Sequence, residues 1–498
     1  MNTRDFSRPS FTFCILYFTF YISSCSLQKQ IARSAKENVL SATALQTAHV
    51  GISIYEPAAN KYWYNYQGDH YFVPASNTKI PTCYAAMKYL GDSLVGLKYG
   101  FSETNDTNRT ILAIQPTGDP TLLHSDFKKH PVWDFLSSNA ARFKEQIGIL
   151  DTIWHDEKWG SGWSWTDYDA SYMAERSVMP IYGNVIDIKL NDLPARNIID
   201  TIGYQGVRMF KTQNPIFDTI VNRNVYLLRR PVIVEKQPMI EVSRNLSENV
   251  FWLDEGHRKF INTSIPFVTT SSEGLWKNSH SLTLSILSDS LKFRFGSITP
   301  RGNDSIYTYM CPDCGAQSIK IKKWHTIHSQ PTDSLLKPMM HRSDNFFAEQ
   351  TLLMVSNEKL GFMNDEKIID TLLKTDFKDL PQKPRWVDGS GLSRYNLFTP
   401  QDFVSILTKM KNDFGMDRIK VILPTGGTGT FSNYYKTEKG SIYAKTGTLS
   451  GVVSISGFLY TKKNKLLVFS VLVNNHNASA TDIRRAVEKF LQGVRNKY

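Results

Sequence analysis

The stretch from Gly440 constrains the chain most. It reads GSIYAKTGTLSGVVSISGFLYTKKNKLLVFSVLVNN, three β-rich runs parted by turn residues at Leu449-Ser450-Gly451 and at TKKNK. Strands joined by connections this short pair antiparallel. Next comes ATDIRRAVEKFLQGVRN, which spaces Ile483, Val487 and Leu491 four apart with Thr481 available as a cap, the pattern of an amphipathic helix. At the other end, HVGISIYEPAANKYWYNYQGDHYFVP holds two β-rich runs around a turn-forming EPAAN and reads as a hairpin from His49. SDNFFAEQTLLMVSNE, from Ser343, reads as a second clear helix. An antiparallel sheet flanked by helices and drawn from both chain ends leaves the middle, roughly Lys98 to His328, as an insertion.

That insertion is strand-rich and irregular. It carries a tryptophan-rich patch, WGSGWSWTDYDASY, and a helical stretch, SEGLWKNSHSLTLSILSDSL, with no internal repeat and no long linker. With 498 residues, 41% of them hydrophobic, the chain buries a sizeable core and has room for about three domains. Aromatics at 12% argue against disorder, and no apolar run is long enough to span a membrane as a helix.

The first residues differ in kind. Arg4 and Arg8 precede a short apolar run from Phe11 to Ile22 and then small residues up to Cys25, the layout of a secretory signal over residues 1–24. Ile22-Ser23-Ser24-Cys25 resembles a bacterial lipobox, so Cys25 is expected to carry acyl chains and tether the exported protein to a membrane in the cell envelope or periplasm. Loss of Arg4, Asp5 and Arg8 takes the formal charge from +12 to +11. An exported basic protein meets anionic envelope polymers or lipid head groups sooner than nucleic acid, for which no motif is present.

Cys83, Cys311 and Cys314 remain. The pair in CPDC, with His325 and His328, forms C-x2-C-x10-H-x2-H. KKWHTIHSQP alternates like a strand and would send the two histidines to opposite faces, so no metal and no cofactor are expected. A disulfide is the simpler reading of the cysteines.

In FVPASNTKIPT, Ser76 and Lys79 lie three residues apart at the start of a helical run, which puts an amine within reach of a hydroxyl. Lysine serves as a base when desolvation or a second cation keeps it partly neutral. S-x-x-K alone is a weak signal, since SLQK at Ser26 also fits. Ser343-Asp344-Asn345 opens a predicted helix, however, and Lys445-Thr446-Gly447 lies on a predicted strand, where the glycine leaves room for close approach to the backbone. S-x-x-K, S-x-N and K-T-G in that order are the signature of the penicillin-binding and serine β-lactamase superfamily.

Ser343 follows Ser76 by 267 positions, and that long insertion resembles the D-alanyl-D-alanine carboxypeptidases of class C low-molecular-mass penicillin-binding proteins, peptidase family S13. TGDPTL, WSWTDYDASY, HRSDNFFAEQ and DGSGLSRYNLFTP also match, while residues 192–262 match thinly. The resemblance implies an α/β (α+β) transpeptidase fold, penicillin-binding-protein and serine β-lactamase-like, with a large β-rich insertion of two smaller domains. The catalytic domain would span 26–97 and 329–498, one inserted domain 98–190 and 262–328, and the other 191–261. It implies that Ser76 attacks the carbonyl of the penultimate D-alanine with Lys79 as base, while Ser343 and Asn345 relay a proton and hold the substrate amide. Lys445, Thr446 and Thr448 would take the terminal carboxylate beside Gly447, and the N–H groups of Ser76 and Thr448 would form the oxyanion hole. Lys445 and Lys79 would depress one another's pKa. Asp167, Tyr172 and Arg394 would line a pocket for the amine end of a diaminopimelate residue. The implied partners are peptidoglycan stem peptides and, as covalent inhibitors, β-lactam antibiotics; endopeptidase cleavage is implied beside carboxypeptidase activity.

A β-lactamase-like hydrolase and a catalytically silent peptidoglycan-binding lipoprotein are the alternatives. A binder has no need of the intact set Ser76, Lys79, Ser343, Asn345 and Lys445. A Ser-His-Asp hydrolase lacks its G-x-S-x-G elbow, because DGSGLS reads as a turn, and LPTGGTGTF lacks the Gly-Lys-Ser/Thr ending of a phosphate loop.

Overall fold

The computed structural model describes residues 28–103, 110–143, 146–191, 226–230, 241–254, 260–270, 281–302, 305–311 and 315–497. Residues 1–24, Cys25 and Cys314 lie outside the described residues. The chain forms two compact units. One comprises Met1–Asn77, Asp379–Arg385 and Asn396–Tyr498, and the other Thr78–Lys378 and Trp386–Tyr395.

After a helical stretch over residues 28–40 come strands β1 (His49–Glu56) and β2 (Lys61–Tyr66), paired antiparallel as the hairpin was expected to be. The connection tightens through Pro57–Ala59 and turns on Asn60, whose φ of 47° is a left-handed value that asparagine tolerates. Helix α1 (Lys79–Tyr89) follows. Strands β3 (Ser93–Glu103), β4 (Leu112–Pro116), β5 (Ile147–Ile149), β6 (Phe295–Pro300), β7 (Ile306–Cys311) and β8 (Gly315–Pro331) come next, and they close into a barrel in the order β6-β7-β8-β3-β4-β5. Closure removes the edges that such short strands would leave exposed. Its glycines and apolar side chains were visible in the sequence, but its closure was not. Between β5 and β6 two smaller sheets form, one pairing Val185–Asn191 with Phe260–Pro266, the other built from Tyr226–Arg230, Val250–Asp254 and Glu241–Arg244. His325 and His328 both lie on β8, the first stacked on Tyr99 and the second 2.9 Å from Ser93 Oγ. Cys311 is disulfide-bonded and Cys83 is a buried free thiol.

Helices α2 (Thr332–His341), α3 (Asn345–Leu360) and α4 (Asp365–Lys374) complete this second unit, and α3 packs directly on α1. The helix expected from Ser343 starts at Asn345, because Asp344 is its N-cap and accepts from the Phe347 N–H at 3.0 Å.

The chain then returns to the first unit. Helix α5 (Pro400–Ile422), broken at Gly415, carries a capping box in which Thr399 and Asp402 satisfy each other's backbone N–H. Strands β9 (Ile442–Leu449), β10 (Val452–Tyr460) and β11 (Leu466–Asn474) and helix α6 (Ala480–Lys497) follow. The five strands make one antiparallel sheet in the order β9-β10-β11-β1-β2, so both chain ends do build it. β10 and β11 are buried along almost their whole length because helices cover both faces. Alternate residues Leu467, Phe469, Val471 and Val473 join Ile483, Val487, Phe490 and Leu491 of α6 in one core, while α5 lies against β1 and β11. The expected cap of α6 is corrected: Ser479 rather than Thr481 caps it, its hydroxyl accepting from the Asp482 N–H at 3.2 Å. β9 is an edge strand, and the K-T-G triplet lies on it.

Candidate active site

In the first unit the sequence around Ser76 is held against β9 and β10. A tight turn, Ala75–Thr78, runs straight into α1. Ala75 adopts a φ of 48°, a conformation that costs a residue with a β-carbon on the order of 1 kcal/mol or more. Two bonds hold the turn down. Ser454 Oγ donates to the Pro74 carbonyl at 2.6 Å, and the Asn77 amide donates to the Lys445 carbonyl at 2.9 Å while accepting from Ser456 Oγ at 2.7 Å. Asn77, Thr78 and Lys79 are fully buried, whereas Ser76 is half-buried and reachable.

Gly447 explains how close β9 comes. A β-carbon there would stand 2.8 Å from the Ser76 nitrogen, 2.8 Å from the Pro74 carbonyl and 2.2 Å from Ser454 Oγ, so nothing larger than glycine fits without moving the turn. Alternation along β9 puts Lys445 and Gly447 on one face and Thr446 and Thr448 on the other. Lys445 is fully buried, its Nζ donating to the Thr446 carbonyl at 2.6 Å. Thr446 donates its hydroxyl proton to Thr430 Oγ1 at 2.9 Å, and Thr448 is exposed. The Ala444 N–H bonds outward to the Pro424 carbonyl, so by the two-residue period the N–H groups of Thr446 and Thr448 also face the open edge of the sheet.

In the second unit the amine of Lys79 is fixed by two acceptors, Asn345 Oδ1 at 2.6 Å and the Ser390 carbonyl at 2.7 Å. Burial pushes its pKa down to about 8, against the pull of Asp388, Glu349 and Asp344. Desolvation, one of the two causes expected from the sequence, is the largest.

What holds the acceptors is a buried polar network. Asn345 starts α3 and its Nδ2 donates to the Tyr172 carbonyl at 3.0 Å. Ser343, two residues earlier, has a φ of 62°, a second left-handed backbone at a motif serine. Glu349, one helical turn beyond Asn345, accepts from the Ser390 N–H at 2.7 Å. Asp388 fixes the same loop by accepting from the N–H groups of Gly391 (2.8 Å) and Ser393 (2.7 Å) and from Trp163 Nε1 (3.0 Å). Arg176, 1% exposed, bonds Asp365 at 2.6 Å and Asp156 at 2.9 Å, with Glu349 at 3.5 Å. One guanidinium cannot neutralise so many carboxylates. Glu349, the most distant, has its pKa pushed up to about 8 by burial and by Asp388. Its neighbour Gln350 donates to the Gly118 and Ser177 carbonyls, which draws the TGDPTL segment to α3.

Asp167 ends a short helical turn, Trp165–Asp167, and Tyr172 is 48% exposed; partial burial and a hydrogen bond to the Asp167 carboxylate hold the Tyr172 phenol above its usual pKa. Arg394 is exposed on the loop that carries Ser390. Within this unit Lys79, Asn345 and Tyr172 are thus joined by hydrogen bonds. Ser76, Lys445, Thr446, Gly447 and Thr448 are gathered within the first unit. Sequence reading missed Glu349, Ser390, Asp388 and Arg176. Only Glu349 left a local signal, standing four residues after Asn345 on one helix face.

A model of the D-Ala-D-Ala carboxypeptidase 3 (S13) family matches residues 32–216 and 316–494. Penicillin-sensitive carboxypeptidase A of Dictyostelium discoideum is 22% identical over 460 residues, 84% of this chain and 81% of that protein. A D-alanyl-D-alanine carboxypeptidase of Actinomadura sp. (strain R39) is 23% identical over 468 residues, 89% of this chain and 80% of that one. The crystal structure of penicillin binding protein 4 (dacB) from Haemophilus influenzae shares the fold, with a TM-score of 0.66 at 19% identity over 94% of this chain and 98% of that chain.

The Arg176 network makes a thermodynamic prediction. Arg176→Met strands buried carboxylates and lowers stability by about 3–5 kcal/mol in urea titrations at neutral pH, and adding Asp156→Asn recovers part of the loss because it removes one stranded carboxylate. Strictly additive effects in that double-mutant cycle would show that the two groups are not coupled.

Proposed function

The chain belongs to the D-Ala-D-Ala carboxypeptidase 3 (S13) family and is a serine-type D-Ala-D-Ala carboxypeptidase acting on peptidoglycan; we propose that Ser76 is its acylated nucleophile and Lys79 the base. The observation that carries the assignment is the Lys79 amine, buried, depressed to a pKa of about 8 and held by Asn345 and Ser390. Three residues earlier on the same helical stretch comes the reachable serine.

In this reading Ser76 Oγ attacks the carbonyl carbon of the penultimate D-alanine as its proton passes to Lys79. The N–H groups of Ser76 and Thr448 stabilise the oxyanion, each donor of that kind typically contributing 10²–10³ in rate. The proton then passes by way of the Ser343 hydroxyl to the departing amine while Asn345 holds the substrate amide, the C–N bond breaks, and the terminal D-alanine leaves. Water, deprotonated by Lys79, hydrolyses the ester and restores the serine. Lys445, Thr446 and Thr448 bind the terminal carboxylate. Cross-link cleavage uses the same elements, since that bond also follows a D-centre.

Around this core, Asp167, Tyr172 and Arg394 form the pocket for a diaminopimelate side chain, with a carboxylate for the ammonium and an aromatic wall for the stem. The Asp167–Tyr172 hydrogen bond and the Asn345–Tyr172 bond support this, because they tie the pocket to the group that holds Lys79. The insertion is read as two domains, 98–190 with 262–328, and 191–261. Residues 1–24 act as an export signal, and Cys25 is acylated and anchors the protein in the envelope. β-lactams acylate Ser76 as substrate mimics.

Three outcomes are expected. Ser76→Ala loses both labelling by fluorescent penicillin and D-alanine release, and the wild-type acylation rate climbs with pH through about 8 because Lys79 must be neutral to take the proton. An adduct mapped to another residue, or a rate flat across that pH, would sink the nucleophile or the base. Asp167→Ala lowers kcat/KM for peptides with a free diaminopimelate amine by about 1.5–3 kcal/mol of transition-state binding while sparing simple penicillins, and equal losses on amine-blocked peptides would rule the pocket out. Mass spectrometry of the mature N-terminal peptide finds a lipid-modified Cys25, whereas an unmodified cysteine or cleavage elsewhere would mean simple secretion.

A further inference from the structure

Arg484 is absent from every motif considered above, yet it reaches the K-T-G strand. It stands on α6, and its Nη2 donates to Thr448 Oγ1 at 2.5 Å. The guanidinium is steadied over the Tyr434 ring, 5.9 Å from its centroid. Arg484 is half-buried while Thr448 is exposed.

The hydroxyl of a threonine has one proton to give and two lone pairs to receive with, and an arginine can only give. Arg484 therefore fixes Thr448 as an acceptor on one side and directs its proton elsewhere, toward whatever acceptor meets the open edge of β9. Thr446, the other hydroxyl on this face, already gives its proton to Thr430. The third group expected to meet a carboxylate, Lys445, is fully buried on the opposite face of the strand and donates to the Thr446 carbonyl. Among the described residues, the cation bonded to the exposed face of β9 is Arg484, which stands beside the carboxylate site proposed for Lys445, Thr446 and Thr448.

We propose that Arg484 and Thr448 together read the terminal carboxylate of the substrate. Arg484 adds its charge to that of Lys445 and sets the Thr448 hydroxyl as donor, so it is a specificity-determining residue of the first unit. The arrangement suits a planar anion, because a guanidinium presents donors in a fixed fork and its charge-assisted bonds are stronger than neutral ones. It also favours a leaving residue whose own carboxylate is free: one whose carboxylate is amidated or extended offers Arg484 an uncharged amide and leaves its charge unanswered. The inference rests on the acyl-transfer reading given above.

The test uses the full-length protein and two substrates, an acyl-D-alanyl thioester whose leaving group carries a free carboxylate and the same thioester with that carboxylate amidated. Thioesters react readily enough for both rates to be measured. Arg484→Gln is expected to lower kcat/KM on the carboxylate substrate about tenfold to a hundredfold and to change the amidated one less than about twofold, so that the preference collapses. Arg484→Lys, which keeps the charge without the fork, should fall between. An equal loss on both substrates, or no loss on either, overturns the proposal. Thermal unfolding of each variant is followed in parallel; an Arg484→Gln protein that is folded to the same temperature and still prefers the carboxylate also overturns it. A wild-type protein that turns over neither thioester would instead sink the carboxypeptidase reading of Ser76, a result separable from any change at Arg484.

Discussion

The second unit is organised around an amine that has been taken out of water. Lys79 has no exposed surface, and a buried ammonium without partners is among the least favourable groups a fold can hold. Two acceptors answer it, and each belongs to an element that must then stay where it is. Asn345 is the first residue of α3, and Ser390 lies on the loop of the DGSGLS segment. Glu349 fixes that loop through the Ser390 N–H, and Asp388 fixes it again from within. Arg176 then ties Glu349 to Asp156 and Asp365. Release of any one member leaves another buried and unsatisfied, which is why a polar network of this kind rigidifies more than the sum of its pairs.

The first unit solves a different problem, that of bringing a strand edge against the turn that carries Ser76. Gly447 removes the side chain that would keep them apart, and Asn77 and Ser454 bond the turn to β9 and β10. The turn accepts a left-handed Ala75 as the cost, on the order of 1–3 kcal/mol, and Ser343 accepts a similar one at the start of α3. Both unusual backbones adjoin residues proposed for the chemistry, and the first is held by bonds at Pro74 and Asn77.

Much of this was legible in the sequence, and the limits have physical causes. The sheet from both chain ends, the hairpin at His49 and the amphipathic α6 follow from periodicities of two and four, which are local. The motif residues announced themselves by spacing. The barrel did not, because its strands β5 and β6 pair in parallel across a long connection that no turn residue signals. Neither did the network: Lys79 and Ser390 are separated by 311 residues, and Arg176 and Glu349 by 173. Such pairs carry no period. Desolvation and a second cation could not be weighed against one another for Lys79 for the same reason, since desolvation depends on what folds over a residue and the sequence shows only what lies beside it.

These costs bear on whether the chain could be a binder that kept the fold and lost the chemistry. An unfolded lysine titrates near 10.5 and Lys79 near about 8. A group whose folded pKa is depressed in this way destabilises the native state at every pH below about 8, where the unfolded chain holds a proton more readily; the cost disappears only above 10.5. At neutral pH it amounts to a few kcal/mol, a large share of the 5–15 kcal/mol that keeps a typical domain folded. A leucine or methionine at position 79 would remove it, and alanine-free turns with ordinary φ values would remove the strain at residue 75. A binding surface gains nothing from either feature. An acyl-transfer site gains from both, because the depressed pKa supplies a base at working pH and the strained turn holds the serine at the start of the same helix. Costs of this size, falling on the residues proposed for acyl transfer, favour a working enzyme over a retained scaffold.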